Sequence, residues 1–452
     1  MASCGLYARA SALLGCGAAL VALAGAGCRP RARAVTGDRT PPAVASTTVA
    51  AGRLKPPVKD PEPPLRPLRR CFEDVPPWVD SPVSVLLDRA GDYLDRADTD
   101  GALACAEEAA RQAPRSVEAH HDRAVALIRL GRFEEARDAL AFALALAPSD
   151  PETLELAADF YVNHLPPSAE RAAIGLEYAR RGWHNVGRDH GRVGHLALLE
   201  GQALIDLGRA AEALRPVGVA LRHMPRDSSA RYERGVALFE LCRFDEARRA
   251  FMKVLEVDPA HAHAQFHLGL IHERTGDDDT AAVRFAKASR DDPKSFPPVP
   301  RVSAAEFGAR VRRVMMALSS DVRRDLTGIS VDMAELPTLD DLTAELPPLS
   351  PTILGLFRGL PLGRDDGAEA GPPAAARGGR GRKPRPSSGP SISGNPASYA
   401  TPERAIVLYR RNILRSVQTI DELDRAIERT LLHEVGHLRG EDDGSLRDRG
   451  LE

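Results

Sequence analysis

Late in the chain runs Thr430-Leu-Leu-His433-Glu434-Val-Gly-His437-Leu-Arg-Gly440-Glu-Asp-Asp443. Two histidines four residues apart lie one above the other on a helix face, so both imidazoles can reach one metal ion. The glutamate between them points to the same mouth. In an H-E-x-x-H pattern it is not a ligand but the base that takes a proton from metal-bound water, whose pKa zinc lowers to roughly 7. A third ligand is still needed, and the helix cannot supply it at its next turn without crowding. Gly440 lets the backbone leave the helix through a left-handed conformation, and Asp443 can then fold back as an oxygen donor. Asp442 and Glu441 could replace it, since spacing alone does not separate neighbours. The chemistry expected is zinc-assisted hydrolysis, with His433, His437 and Asp443 on the metal and Glu434 as catalytic base. The plainer alternative is a charged helix end whose two histidines simply suit the C-terminal dipole.

The elements that must position this site are readable around it. Thr419-Ile-Asp-Glu422 is a capping box, and Leu423, Ile427, Leu431 and Val435 recur every four residues as a buried stripe. His433 and His437 fall away from that stripe, toward a cleft. Upstream, Ser303-Ala-Ala-Glu306 is a second capping box, continued by Phe307, Val311, Val314 and Leu318 as an amphipathic helix. Ile329 and Val331 alternate with Ser330 and Asp332 as a short strand. An acidic, Pro-rich loop from Leu336 to Ser350 precedes an apolar strand from Ile353. The order helix, three strands, helix predicts a small α+β domain over residues 300–452, with the metal helix packed on a sheet. Residues Ile406 to Tyr409 are expected to form an edge strand able to hold an extended peptide by backbone pairing. Tyr409, Arg410, Arg411 and Arg439 are the candidate donors for an oxyanion, and the sequence does not rank them. Residues 365–400 interrupt the domain with a low-complexity, basic, non-aromatic run that is expected to be disordered.

This region resembles the small zincin-like metallopeptidases of bacteria. Besides the motif, Ile353-Leu-Gly-Leu-Phe-Arg-Gly-Leu-Pro-Leu362 resembles that family's segment around its central strand, and Ile406-Val-Leu-Tyr-Arg-Arg-Asn-Ile-Leu414 its strand before the active helix. The resemblance implies that His433, His437 and Asp443 hold zinc and that Glu434 is the base. One departure is Arg439, where the family usually has an aromatic residue.

Further upstream a period emerges. Pro114 and Pro148 stand 34 residues apart, as do Pro225 and Pro259, and Pro259 and Pro293. Aligned on these prolines, Ala90, Ala124, Gly201, Gly235 and Gly269 coincide where two helices must approach closely. Ala102, Ala136, Ala213, Ala247 and Ala281 coincide in the second helix, and Gly131, Gly208 and Gly276 at the turn between the two. Residues 83–295 thus resemble tetratricopeptide repeats, about six of them, the third irregular around Asn163-His-Leu-Pro-Pro167 and Gly182-Trp-His-Asn185. Each hairpin exposes an apolar face that only its neighbour can cover, so the fold expected is multidomain: an all-α tetratricopeptide solenoid followed by the small α+β zincin-like domain. Its groove would hold a protein or peptide, and Arg123, Arg231 and Arg234 could select an acidic one. His261, His263, His267 and His272 do not converge as a metal cluster. Trp183 and Tyr178 are read as cover for the irregular repeat's core.

The first 28 residues read as an export signal, an apolar run from Ala10 to Gly27 ending in Gly25-Ala-Gly-Cys28. That resembles a bacterial lipoprotein signal, which implies a lipidated Cys28 anchoring an exported chain at a membrane, periplasmic or outer surface. An uncleaved anchor or a cytoplasmic chain is the alternative. Residues 29–82 are Pro- and Arg-rich and read as an extended tether. Cys71, Cys105 and Cys242 are scattered, predicting buried thiols rather than a disulfide framework. A net charge of −2 argues against a nucleic-acid partner. Two functions follow as expectations: a zinc-dependent peptidase whose repeats recruit a protein substrate or partner, or a non-catalytic scaffold with a vestigial zinc domain.

Overall fold

Helical hairpins arise wherever a good helix-forming segment with one apolar stripe ends at a turn that reverses it, and the repeats do this along much of the described chain. The computed structural model describes Cys71 and residues 82–187, 189–363 and 404–451. The chain divides into two compact units that part between Phe160 and Tyr161. In the first, α1 (Pro82–Asp95) pairs with α2 (Thr99–Gln112), α3 (Val117–Arg129) pairs with α4 (Phe133–Leu146), and α5 (Pro151–Asp159) follows. In the second, α6 (Ala169–Asn185) packs on α7 (His190–Asp206), whose hairpin partner is α8 (Ala210–His223); α9 (Ser228–Glu240) pairs with α10 (Phe244–Val257), and α11 (Ala262–Arg274) with α12 (Asp278–Asp291). The third repeat, expected to be irregular, is the one divided between the units, and a π-helical stretch, Phe160–His164, lies there.

Helix starts are set by side-chain caps. Asp98, Ser116, Asp150, Asp189 and Asp227 each accept from the backbone N–H three residues on, which satisfies a donor that the first turn leaves open. The close approach expected at the repeat glycines is present: a Cβ on Gly235 would lie 2.5 Å from the Phe251 ring. The turn glycines Gly131, Gly208 and Gly276 all have positive φ, and Cys242 holds the same place at φ 57.

Cys71 and Cys105 form a disulfide, which corrects the expectation of separate thiols. Their separation of 34 residues is one repeat period, so the periodicity itself brings them together. Cys71 is also helical and fully buried against Leu86 and Ala90, so the tether reading fails at its end. The rest of that tether, the N-terminal signal with Cys28, and the insertion 365–400 lie outside the described residues. Among the described residues no helix is long and apolar enough to cross a membrane. Nor do His261, His263, His267 and His272 form a metal-ligating group. His267 is instead enclosed by Tyr232, Phe239 and Phe251, and burial pushes its pKa down to about 3.

Beyond the hairpins, α13 (Ala304–Ala317) begins with the expected capping box, Ser303 and Glu306, and α14 (Ser320–Asp325) follows. The three strands are β1 (Ser330–Ala334), β2 (Gly355–Arg358) and β3 (Ala405–Tyr409), with a short α15 (Leu339–Leu342) between the first two. Their order is β1-β3-β2, β3 running parallel to β1 and antiparallel to β2. The central strand is therefore β3, all five of its residues buried, and the expectation that Ile406 to Tyr409 form an edge is wrong. A run buried on both faces and paired on both sides reads as continuously apolar, as Ala-Ile-Val-Leu-Tyr does. The strand also ends sooner than the expected Leu414, because α16 (Arg410–Arg415) begins at once. Last come α17 (Ile420–Leu438) and α18 (Asp443–Asp448). The stripe Leu423, Ile427, Leu431 and Val435 is buried against Phe307, Val311, Ile406 and Leu408, which fixes the rotation of α17 about its axis.

Candidate metal centre

That rotation turns His433 and His437 to the side away from the core. Their rings meet edge to face with centroids 4.7 Å apart, and their Nε2 atoms are 3.0 Å apart. Helix α17 then ends in a left-handed turn: Gly440 has φ 86, and the Glu441 N–H reaches back to the Gly436 carbonyl at 3.0 Å, the closing bond of a Schellman exit. The turn brings Asp443 Oδ1 to 3.2 Å from His437 Nε2 and 3.8 Å from His433 Nε2. The two neighbours that spacing left open are engaged otherwise. Asp442 caps α18 through the Ser445 N–H at 2.8 Å, and Glu441 pairs with Arg449. Among the described residues this trio is the one metal-capable group of three.

The fit to zinc can be tested on distances. Metal–ligand bonds of about 2.0–2.1 Å at tetrahedral angles separate donor atoms by about 3.3 Å. The three separations, 3.0, 3.2 and 3.8 Å, bracket that value. Donor orientation agrees: His433 Nδ1 donates to the Leu451 carbonyl at 2.9 Å and His437 Nδ1 to the Glu441 carbonyl at 3.1 Å. A carbonyl can only accept, so both protons sit on Nδ1 and both Nε2 lone pairs face the common point.

Glu434 lies beside the two histidines on the helix, with its carboxyl against β2. Its carboxyl is buried, which pushes it up to about 8; the Phe357 N–H donates to it, opposing the rise, and the nearby Asp443 charge adds to it. A dication at the trio would draw the same carboxyl back down. Gly355 makes this approach possible, since a Cβ there would stand 2.8 Å from both Glu434 Oε1 and Thr430 Cγ2. Sequence reasoning passed over Gly355, Phe357 and Gly436; a glycine interrupting an apolar strand and another inside a helix were the available signals.

The four oxyanion candidates are all engaged elsewhere. The Tyr409 hydroxyl donates to Asp341 at 3.2 Å. Arg410 forks onto Glu335 at 2.8 and 2.6 Å. Arg411 holds Asp278 at 2.6 Å, Glu335 at 2.8 Å and Glu273 at 2.9 Å, contacts that raise its already high pKa, Asp278 first. Arg439 pairs with Asp325 on α14 at 2.6 Å, a polar brace where the resembling family has an aromatic ring.

Comparison with known proteins agrees with these parts. The profile of zincin-like metallopeptidases matches residues 388–451, and that of the tetratricopeptide repeat matches residues 87–151, 198–251 and 241–296. A search of curated proteins returned no match. Among solved structures, PilF of Pseudomonas aeruginosa is 18% identical over 47% of this chain and 92% of its own, with a TM-score of 0.41. PilW, a type IV pilus biogenesis factor, is 18% identical over 48% of this chain and 96% of its own, with a TM-score of 0.43. YrrB, a repeat protein described as having an unusual peptide-binding site, is 23% identical over 42% and 93%, with a TM-score of 0.33. The chain is thus a tetratricopeptide-repeat protein carrying a C-terminal zincin-like metallopeptidase domain.

Proposed function

We propose that this protein is a zinc-dependent peptidase whose repeats recruit a protein partner or substrate. The observation that carries the reading is the convergence of His433 Nε2, His437 Nε2 and Asp443 Oδ1 at zinc-like separations, with Glu434 one residue from a ligand. Zinc bound there would polarise a carbonyl and acidify water. The chain's own residues do the rest. Glu434, ionised beside the metal charge, accepts the proton of the attacking water and returns it to the departing amine. Phe357 N–H holds that carboxylate in place.

Substrate handling falls to β2, the edge strand nearest the base. Tyr409 N–H donates to the Leu354 carbonyl at 2.9 Å, so in this antiparallel pair the main-chain groups of Leu354, Leu356 and Arg358 face β3. Those of Gly355 and Phe357 face the other way; with the Phe357 N–H held by Glu434, the Gly355 N–H and the Gly355 and Phe357 carbonyls are the groups along which an extended peptide can align. For the repeats, a cavity of about 330 Å³ in whose lining Arg231, Arg234, Arg249 and Lys253 outnumber the single carboxylate Glu246 fits an acidic segment of a protein partner. The disulfide supports an exported location, since such bonds persist in oxidising compartments, and membrane attachment through a lipidated Cys28 is the corresponding mode of anchoring.

The engagement of Tyr409, Arg410, Arg411 and Arg439 away from the site favours the second reading, a scaffold whose zinc site no longer catalyses. Metal analysis of the purified chain together with cleavage of a peptide library separates the two. One zinc per chain and metal-dependent cleavage are expected. A zinc-loaded protein that leaves every peptide intact would leave the scaffold standing.

A further inference from the structure

Both imidazoles of the trio are held from behind in the same way. Glu441, which orients His437, is the third residue after the end of α17, just past Gly440. Leu451, which orients His433 at 2.9 Å, stands in the same place after α18, just past Gly450. That second exit repeats the geometry of the first: Gly450 has φ 71, and the Leu451 N–H returns to the Leu446 carbonyl at 3.0 Å. Helix α18 is itself seated by Leu446, which is fully buried and so close to α17 that a Cβ on Gly436 would come within 2.2 Å of its Cδ2. The ion pair Arg449–Glu441 ties the two exits together.

From this duplicated arrangement we infer that residues 442–451 act as a clamp that fixes the His433 tautomer and thereby sets zinc affinity, with Leu446 and Gly450 as positioning residues. The inference rests on the zinc reading above. The Leu451 carbonyl, which can only accept, keeps the proton on Nδ1. A neutral imidazole protonated on Nε2 presents no lone pair to the ion. Asp443, the first residue of α18, is carried by the same seat, so one element supplies a ligand and orients another.

The test compares three variants with the full chain: removal of residues 450–452, Gly450→Val, and Leu446→Ala with Leu446→Met as its conservative rescue. Gly450→Val strains the left-handed turn without a clash, because nothing lies within 4 Å of its Cβ position. Zinc affinity is read by competition with a chromogenic chelator, and imidazole tautomers of the metal-free protein by nitrogen–proton NMR. The wild type is expected to show His433 and His437 protonated on Nδ1. The truncation, Gly450→Val and Leu446→Ala should each weaken zinc by about 10- to 100-fold, with His433 shifting toward Nε2 protonation in the truncation and Gly450→Val while His437 stays unchanged, and Leu446→Met should restore binding. Unchanged zinc affinity and an unchanged His433 tautomer in the truncation and Gly450→Val would overturn the clamp. A wild type that binds no zinc would overturn the metal reading instead, and the tautomer measurement would still decide the clamp.

Discussion

At the scale of single residues, what separates Glu434 from the other carboxylates of its neighbourhood is enclosure. Asp442 and Glu441 are spent on a helix cap and an ion pair, Asp443 is exposed beside the imidazoles, and Glu434 alone is buried under β2 with a single backbone donor. On the proposed peptidase reading, a group so placed would transfer a proton rather than bind the metal. Glu434→Gln keeps the shape and hydrogen-bonding reach of the side chain while removing its basicity. It is expected to leave the zinc content at one per chain and to lower kcat by about 10²- to 10⁴-fold, read by metal analysis and peptide hydrolysis on one preparation. Metal lost in parallel with activity would show instead that the carboxylate holds the site together. The type and spacing of His433, Glu434 and His437 were legible from the sequence. The choice of Asp443 over its neighbours was not, because it depends on which of three adjacent carboxylates the exit from α17 turns toward the rings.

At the scale of elements, helix α17 and strand β2 meet at a point where only glycine fits. Gly355→Ala would push a methyl against Glu434 and Thr430 at 2.8 Å, and overpacking of this kind costs about 1–3 kcal/mol. Thermal unfolding should therefore drop, and hydrolysis should drop further than stability explains because the base is the displaced atom. Equal activity per folded molecule would argue against β2 as the support of Glu434. The first unit offers a separate test. Cys71→Ser opens the bond to Cys105 and should lower stability by about 2–4 kcal/mol. Denaturant unfolding should then show a wild type sensitive to reductant and a variant that is not. Helix placement was readable from capping boxes and stripes. The order of the strands was not, since Ala405–Tyr409 would look equally apolar in the middle of a sheet or at a well-covered edge.

At the scale of the molecule, within the second unit the last hairpins and the zincin-like domain share a seam of charge. Arg411 bridges Asp278 on α12 and Glu335 beyond β1, Arg415 pairs with Glu273 and lies 5.0 Å over the Phe285 ring, and Arg274 donates to the Pro337 carbonyl at 2.9 Å. Glu240 is enclosed in this seam with one oxygen lacking a partner, and burial raises its pKa from 4.5 to about 7 despite a hydrogen bond from Ser350. The sign of the linkage follows. Below pH 4.5 both folded and unfolded chains are protonated there, and the group has no effect. Between pH 4.5 and 7 the unfolded chain ionises first, so stability falls as pH rises, by about 3 kcal/mol at the plateau. Glu240→Gln should accordingly raise the melting temperature of the second unit at pH 8 and leave it unchanged at pH 4. An equal shift at both pH values would mean that packing, not charge, is responsible.

Local rules, which act within one helix or between neighbouring repeats, are written in the order of residues, and the sequence alone determined what depends on them: the repeat period, the glycines and alanines at helix crossings, the capped starts of α13 and α17, and the histidine pair one turn apart. The tertiary structure alone decided what depends on where separate segments arrive. It joined Cys71 to Cys105, made β3 central, drew Tyr409, Arg410, Arg411 and Arg439 into pairs away from the imidazoles, and brought the Leu451 carbonyl behind His433. Those outcomes follow from competition among distant partners for the same charges and hydrogen bonds, and only the folded packing settles which partner wins.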